Sequence, residues 1–180
     1  MEVFTPAVAR STGANLARTL AQTTIFWLVF IGLVPLVIVR IERGLDVASL
    51  GFAHQTGLGL ALGVGFGAIN LWSGVALAVI GRGTPFPTQT ARELVVTGPY
   101  RHLRNPMAFG GLGVAFALGL GRGSWGTMAY AIAGGVIWHV LARPMEERDL
   151  AARFGASYHA YRAAVRCWWP RLRPYRSSGR

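Results

Sequence analysis

Residues 57–80 read GLGLALGVGFGAINLWSGVALAVI and contain no Asp, Glu, Lys or Arg in 24 positions. About 20 apolar residues in a helix are enough to cross the hydrocarbon core of a bilayer. An uncharged run of this length is longer than the apolar runs expected in a soluble core helix. The stretch therefore predicts a transmembrane helix, and it sets the class of the fold.

The rest of the chain repeats this pattern. Three further uncharged runs occupy residues 23–39, 107–121 and 124–142, the last containing His139. Only Arg122 and Gly123 separate the last two runs, which predicts a tight helical hairpin. With 180 residues, 52% hydrophobic, the chain has material for one domain, residues 1–180. The sequence predicts an all-α, polytopic membrane protein with about four transmembrane helices and a cytoplasmic C-terminal helix.

Glycines in the second run predict how its helix packs. Gly59, Gly63 and Gly67 are four residues apart, so they lie on one face of a helix and allow a neighbouring helix to approach closely. They do not form a dinucleotide-binding loop, because no strand precedes them and no acidic residue follows about 20 positions later.

Charge predicts the orientation of the spans. All 18 basic residues are Arg, and the formal net charge is +11. Four spans place both termini on one side, with 15 arginines in the inner segments and three in the outer ones. Cytoplasmic segments of membrane proteins are rich in Arg and Lys. The sequence therefore predicts a multi-pass protein of a bacterial inner (cell) membrane with both termini cytoplasmic. Arginines beside spans suit contacts with anionic membrane lipids, and no nucleic-acid partner is predicted.

Cysteine content excludes several kinds of site. Cys167 is the single cysteine of the chain, so an intrachain disulfide or a cysteine-rich metal centre cannot form. No metal site is predicted, and the oligomeric state does not follow from the sequence.

The first polar stretch with chemically capable side chains covers residues 81–106, and its end, with the residue that follows, reads LVVTGPYRHLRNPM (residues 94–107). Gly98-Pro99 is a turn signal, and Pro106 suits the first turn of a helix. The intervening loop is thus held at a helix N-terminus, whose unpaired N–H groups attract anions. One interpretation is a site for a ligand with a carboxylate and a flat ring. The other is an interfacial belt of Arg and Tyr at the level of the lipid headgroups.

The second such stretch begins with residues 143–150, RPMEERDL. In a helix, Arg143 and Glu147 meet on one face, whereas Glu146 points about 100° away from Glu147. The two glutamates either serve a ligand or form surface ion pairs with Arg143 and Arg148.

Both stretches match a known signature in order and spacing. The first has Gly98-Pro99-Tyr100-Arg101, Arg104-Asn105-Pro106-Met107 and Gly110; the second has Glu146-Glu147, Leu150, Phe154-Gly155, Tyr158, Tyr161 and Trp169-Pro170. Over residues 94–170 the chain resembles isoprenylcysteine carboxyl methyltransferases and related phospholipid methyltransferases. It departs from their pattern at Asn105, usually His, and at Ala108, usually Tyr, although Phe109 follows.

This resemblance implies a membrane methyltransferase that binds S-adenosylmethionine at the cytoplasmic membrane edge. The cofactor-binding residues that it implies are Tyr100, Arg101, His102, Arg104, Asn105, Pro106, Glu146, Glu147, Tyr158 and Tyr161. Of these, Arg104 or Arg101 would bind the methionine carboxylate, and Glu146 or Glu147 the ribose hydroxyls or the amino group. The two later tyrosines would line the adenine pocket, and His102 is the candidate catalytic residue.

The implied methyl acceptor is a lipophilic, lipid-like molecule that enters laterally from the bilayer. If the methylated group is a carboxylate, no general base is needed at neutral pH. If it is an amine or a thiol, His102 or a glutamate could remove a proton. His139 lies four residues before Arg143 and either faces this pocket or makes an interfacial hydrogen bond.

Two other functions fit the same pattern. Sterol- and steroid-reductase proteins have similar C-terminal regions and bind a nicotinamide cofactor. A protein without catalytic activity could instead use the Arg-rich tail to bind anionic lipid or a partner.

Overall fold

The computed structural model describes residues 11–82 and 91–176, and within them it is helical, with no strand. The α-helices are α1 (Thr12–Phe26), α2 (Val34–Gly44), α3 (Gln55–Val79), α4 (Pro106–Arg122), α5 (Trp125–Ile137) and α6 (Arg143–Ala164). A π-helical segment, Trp27–Leu33, joins α1 to α2, and a second one, Trp138–Ala142, joins α5 to α6. A short 3₁₀ helix, Gly98–Arg101, lies between α3 and α4. The predicted all-α fold is confirmed.

Three helices are long and apolar enough to cross a membrane: Thr12–Gly44, Gln55–Val79 and Trp125–Ala164. The shorter apolar helix α4 has 17 residues, at the lower end of the spanning range. Large apolar side chains on these helices face outward; Leu60, for example, is 69% exposed. Apolar surface of this extent is expected where lipid is the solvent. The chain is therefore an integral membrane protein.

Helix Trp125–Ala164 is longer than the predicted span 124–142 because it continues without a break into polar α6. Its 40 residues are about twice what a bilayer requires. The uncharged part ends at Ala142, so we place α6 outside the hydrocarbon region.

Each π-helical segment ends just before a proline. Pro35 and Pro144 are the second residues of α2 and α6. A proline inside a helix has no N–H to donate and clashes with the carbonyl four residues earlier. Widening the preceding turn relieves that clash, so the helices remain continuous. The sequence predicted a C-terminal helix after the last span, and the structure shows how α6 is joined to that span.

Helices α3 and α4 pack closely because glycines line their contact. A Cβ atom added to Gly59 would lie 2.5 Å from the Cα of Gly121 and 2.8 Å from the carbonyl oxygen of Ala117. At Gly67 the nearest atom belongs to Trp27 of the first π-helical segment, at 3.3 Å, and Val114 of α4 follows at 3.9 Å. The glycine pattern thus predicted close helix packing, and at Gly67 it makes room for a side chain of a second neighbour as well.

The hairpin between α4 and α5 is tight, as the sequence predicted. Gly123 caps α4 with a φ of 69°. The hydroxyl of Ser124 accepts from the N–H of Thr127 at 3.0 Å, which caps α5. Glu42, near the end of α2, accepts a hydrogen bond from the Ser124 hydroxyl. It also accepts one from the N–H of Gly126, at 2.6 Å. A carboxylate at a helix N-terminus is favourable, so Glu42 fastens α2 to this hairpin.

Gly59→Ala is expected to destabilise the protein by about 1–3 kcal/mol, because backbone atoms of α4 must move to admit the methyl group. Gly65→Ala in the same helix is the matched control, since a Cβ there meets nothing within 4 Å. Alanine is the better helix former, so this control should be neutral or slightly stabilising. Melting temperatures of the two variants in detergent measure the difference. Equal melting temperatures would contradict the close α3–α4 contact.

Candidate functional site

A polar cavity of about 80 Å³ lies where α6, the last turn of α3 and the loop before α4 meet. Seven of the ten residues implied for cofactor binding line it: Tyr100, Arg104, Asn105, Glu146, Glu147, Tyr158 and Tyr161. The other lining residues are Leu77, Ala91, Glu93, Leu94, Val95 and Leu150. Both polar stretches of the sequence therefore contribute to one cavity.

Glu147 is the centre of an ion cluster, which we define as Glu147 with Arg104, Arg143 and Arg162. Its carboxylate lies 3.1 Å from Arg104, 3.3 Å from Arg143 and 3.4 Å from Arg162. The side chains of Glu147 and Arg104 are only 9% and 11% exposed, so these are not ordinary surface pairs. Three guanidinium groups around one carboxylate leave an excess of positive charge, which suits an anionic ligand group.

Glu146 has a different environment from its neighbour. It accepts a hydrogen bond of 3.4 Å from the Asn105 side chain, a weak interaction at that distance. Burial raises the pKa of Glu146 from 4.5 to about 7; the Asn105 hydrogen bond lowers it, and the charge of Glu147 raises it. Near neutral pH this carboxyl group can therefore accept or donate a proton. Arg143 and Glu147 do share a face, as their spacing predicted, and Glu146 is free for another role.

Two tyrosines of the cavity, like the two glutamates, differ in their hydrogen bonding. The Tyr161 hydroxyl donates to the backbone oxygen of Tyr100 at 2.7 Å and so fastens α6 to the loop. The Tyr158 hydroxyl is buried without a hydrogen-bond partner. Burial, and then the charge of Glu147, raises the pKa of Tyr158 to about 12, so it stays protonated and can donate. Burial also raises the pKa of Tyr100, followed by the charge of Glu146.

Three of the implied residues do not line the cavity. Arg101 donates from Nε to the backbone oxygen of Tyr175 at 3.0 Å. Nδ1 of His102 donates to the backbone oxygen of Arg171 at 2.9 Å. Both side chains fasten the C-terminal tail to the loop, while Pro106 is buried as the first residue of α4. For Arg101 and His102 the structure thus supplies a structural role that the sequence did not reveal.

Several contributors were not singled out from the sequence. Leu94 and Val96 pack against a buried group formed by Tyr158, Tyr161 and Val165. Arg153 of α6 donates to the backbone oxygen of Ala91 and pairs with Asp149. The (i, i+4) spacing of Asp149 and Arg153 could have identified their pair, but nothing local signals the contact with Ala91.

Gly155 bends α6 one turn before Tyr158. Its φ of 49° and ψ of −127° lie in a region that side-chain-bearing residues rarely adopt. The glycine of the Phe154-Gly155 pair is therefore required by the backbone, because a non-glycine residue there would be strained.

The polar cavity has the chemistry to bind a ligand with carboxylate, hydroxyl and amino groups. Arg104 Nε, like the Tyr158 hydroxyl, is buried without a hydrogen-bond partner. Buried polar atoms are rarely left unpaired, so each of these suits a ligand atom. The volume of about 80 Å³ is smaller than that of usual ligand sites, about 300–1,000 Å³. A nucleoside-sized ligand would require the walls to move apart.

A second concavity, which we call the apolar groove, lies between the spans and has a volume of about 540 Å³. It opens to the side and is lined by Phe66, Phe109, Leu112, Gly113, Phe116, Ala131, Ile132, Gly135, Val136, His139 and Trp168. Phe109, next to the position where the methyltransferases usually have Tyr, therefore lies in this groove and not in the polar cavity.

A comparison with protein families identifies the family of the chain. The family model described as phospholipid methyltransferase matches residues 54–157, from the start of α3 into α6. Neither a curated protein nor a solved structure matches the chain. The match confirms, at the level of the family, the resemblance carried by the two polar stretches. Since it covers more than half of the residues, the chain belongs to the phospholipid methyltransferase family, a family of methyltransferases.

Proposed function

We propose that the protein transfers a methyl group from S-adenosylmethionine to a lipophilic acceptor at the cytoplasmic face of the membrane. The observation that carries this proposal is the polar cavity, in which Arg104 and Tyr158 keep buried, unpaired hydrogen-bonding atoms. Membership of a methyltransferase family supports the reaction class. The apolar groove beside the spans supports an acceptor that reaches the site from the bilayer.

Each ligand group has a matching side chain in this proposal. Arg104 binds the methionine carboxylate through Nε, since Nη2 already contacts Glu147. Glu146 accepts from the ribose hydroxyls or the amino group, for which only the weak Asn105 contact must be exchanged. Tyr158 and Tyr161, which both line the cavity, border the space for the adenine ring. S-adenosylmethionine supplies a methyl group activated by its sulfonium.

The chain itself needs to position the reactants and exclude water. An acceptor carboxylate is ionised at neutral pH and needs no base. For an amine or thiol acceptor, Glu146 is better suited than His102 to remove a proton, because Glu146 lines the cavity and burial raises its pKa to about 7. Nδ1 of His102 instead donates to the C-terminal tail.

Ligand-dependent thermal unfolding tests the proposal. S-adenosylmethionine at about 100 times its Kd should stabilise the purified protein by about 2.7 kcal/mol, or roughly 5–10 °C in Tm. Protection by reduced nicotinamide dinucleotide phosphate instead would favour a reductase. Protection by neither compound would favour a membrane protein whose basic tail binds lipid.

The orientation of the spans is part of the proposal, because the cavity must face the cytoplasm. Arg10 and Arg180, which belong to the arginine count, lie outside the described residues. In a Cys167→Ser background, Arg122→Cys should react with a membrane-impermeant thiol reagent outside intact cells, whereas Ser11→Cys should react only after lysis. Labelling of position 122 from the cytoplasmic side would contradict four spans with inner termini.

A further inference from the structure

One end of the apolar groove carries a polar pair, His139 and Trp168, on otherwise apolar walls. Nε1 of Trp168 donates to Nδ1 of His139 at 2.8 Å. An indole nitrogen can only donate, so Nδ1 must accept, and the neutral imidazole carries its proton on Nε2. Nε2 makes no hydrogen bond to any residue that the structure describes. The lining of the groove therefore includes an imidazole whose tautomer, with the proton on Nε2, is fixed.

Both members of the pair are held in place. Trp168 packs edge-to-face on Trp138, with ring centroids 5.4 Å apart. The tail segment that carries Trp168 is held against the loop before α4, because the N–H of Arg104 donates to the backbone oxygen of Arg166 at 3.0 Å. His139 lies in the π-helical segment Trp138–Ala142. Such wide turns occur often at functional sites, where they redirect a side chain.

One side chain connects this pair to the polar cavity. Nε of Arg143 donates to the backbone oxygen of His139 at 3.3 Å, and Nη1 of the same side chain contacts Glu147. His139 and Glu146 are seven residues apart, about 10 Å along a helix. A molecule with its tail in the apolar groove and its head at His139 would thus lie beside the site proposed for S-adenosylmethionine.

We propose that Trp168 fixes His139 so that its Nε2–H donates a hydrogen bond to an oxygen at the polar head of a lipid whose tail occupies the apolar groove. This inference rests on the proposed function, in which that lipid is the methyl acceptor. The groove lies between membrane-spanning helices, so an apolar chain is the occupant that the surroundings supply. His139 is then a positioning residue that selects acceptors with a head oxygen, and not a general base, since its basic nitrogen is engaged by the indole.

The tautomer can be tested by nitrogen NMR of the detergent-purified protein with labelled histidine, with His139→Phe used for assignment. Wild type should show the Nε2-protonated form at His139, and oleate should shift the Nε2 resonance. Trp168→Phe removes the indole donor and should abolish the single tautomer. Trp169→Phe is the matched control, because Trp169 is 73% exposed and does not line the groove. A Nδ1-protonated ring in wild type would overturn the proposal.

Binding provides the second measurement. His139→Phe keeps an aromatic ring but no donor, so oleate affinity should fall about 3- to 10-fold, as expected for one hydrogen bond. His139→Gln can still donate and should recover part of the loss. Nanodiscs of phosphatidylethanolamine without oleate show whether a phosphodiester oxygen shifts Nε2 as a carboxylate does. Unchanged oleate affinity in His139→Phe would overturn the inference.

Affinity for S-adenosylmethionine separates this inference from the proposed function. It should stay within about twofold of wild type in His139→Phe, since His139 does not line the polar cavity. Absence of S-adenosylmethionine binding in wild type, with the oleate effect intact, would defeat the methyltransferase proposal and leave the lipid-head site in place.

Discussion

Glu147→Gln is expected to lower the free energy of unfolding by about 2–4 kcal/mol, or roughly 5–15 °C in Tm. The reason is the ion cluster: the variant would leave three guanidinium groups close together around a neutral amide. Exposed ion pairs contribute only about 0–1 kcal/mol, but Glu147 and Arg104 are both mostly buried. Thermal unfolding at pH 7.5 in detergent measures the loss.

Glu146→Gln is the matched control, with the opposite expectation. The pKa of Glu146 in the folded protein, about 7, is above its ordinary value of 4.5. Folding therefore binds a proton between these values, and the contribution of Glu146 to stability is fully present below about pH 4.5 and lost as the pH rises through about 7. The glutamine variant escapes that loss. From pH 5 to pH 8 it should gain about 2 kcal/mol relative to wild type, a value reduced for the partial exposure of the side chain.

The two adjacent variants thus give a result that a surface role for both glutamates cannot produce. If both were surface residues, each substitution would change Tm by little, and neither change would depend on pH. A destabilised Glu146→Gln at pH 8, or a Glu147→Gln with wild-type stability, would contradict the environments described for these carboxylates.

The spans could be predicted because lipid imposes a simple requirement on the chain. A long run without charge, such as residues 57–80, does not suit a helix in contact with water, so it predicts a membrane span. The structure has α3 at Gln55–Val79. The sequence did not reveal that Thr12–Gly44 is one continuous helix, nor that α5 continues into α6 without a break at Pro144. A proline ordinarily favours a break, and the π-helical segments that avoid one have no sequence signal. The contact of Glu42 with Ser124 was not predictable either, since the two are 82 positions apart.

The candidate site was predictable to the extent that its contacts are local. The (i, i+4) spacing of Arg143 and Glu147 was sufficient to pair them, and their contact is observed at 3.3 Å. The contact of Arg104 with Glu147 depends on how α6 packs against the loop, which spacing along the chain does not encode. The same packing brings the C-terminal tail to Arg101 and His102 and so occupies two residues that were equally good candidates by type. That these residues serve a cofactor stays a prediction.

Arg104→Gln is expected to weaken binding of S-adenosylmethionine about 10- to 150-fold, the effect of losing a charge-assisted hydrogen bond worth on the order of 1.5–3 kcal/mol. Arg104 is the arginine that lines the polar cavity, and its Nε atom is buried without a partner. Calorimetric titration of the detergent-purified protein, well below the Tm of each variant, measures affinity separately from stability.

Arg162→Gln is the control that distinguishes the cavity from the ion cluster. Arg162 also contacts Glu147, at 3.4 Å, but its side chain is 49% exposed and does not line the cavity. Removing it weakens the cluster without removing a cavity donor, so affinity should stay within about threefold of wild type. Equal losses in both variants would mean that the cluster acts only by holding α6 in place. If Arg104→Gln bound S-adenosylmethionine like wild type, the methionine carboxylate would have to be bound elsewhere. Arg104 would then be left with its structural contacts to Glu147 and to the backbone oxygen of Arg162.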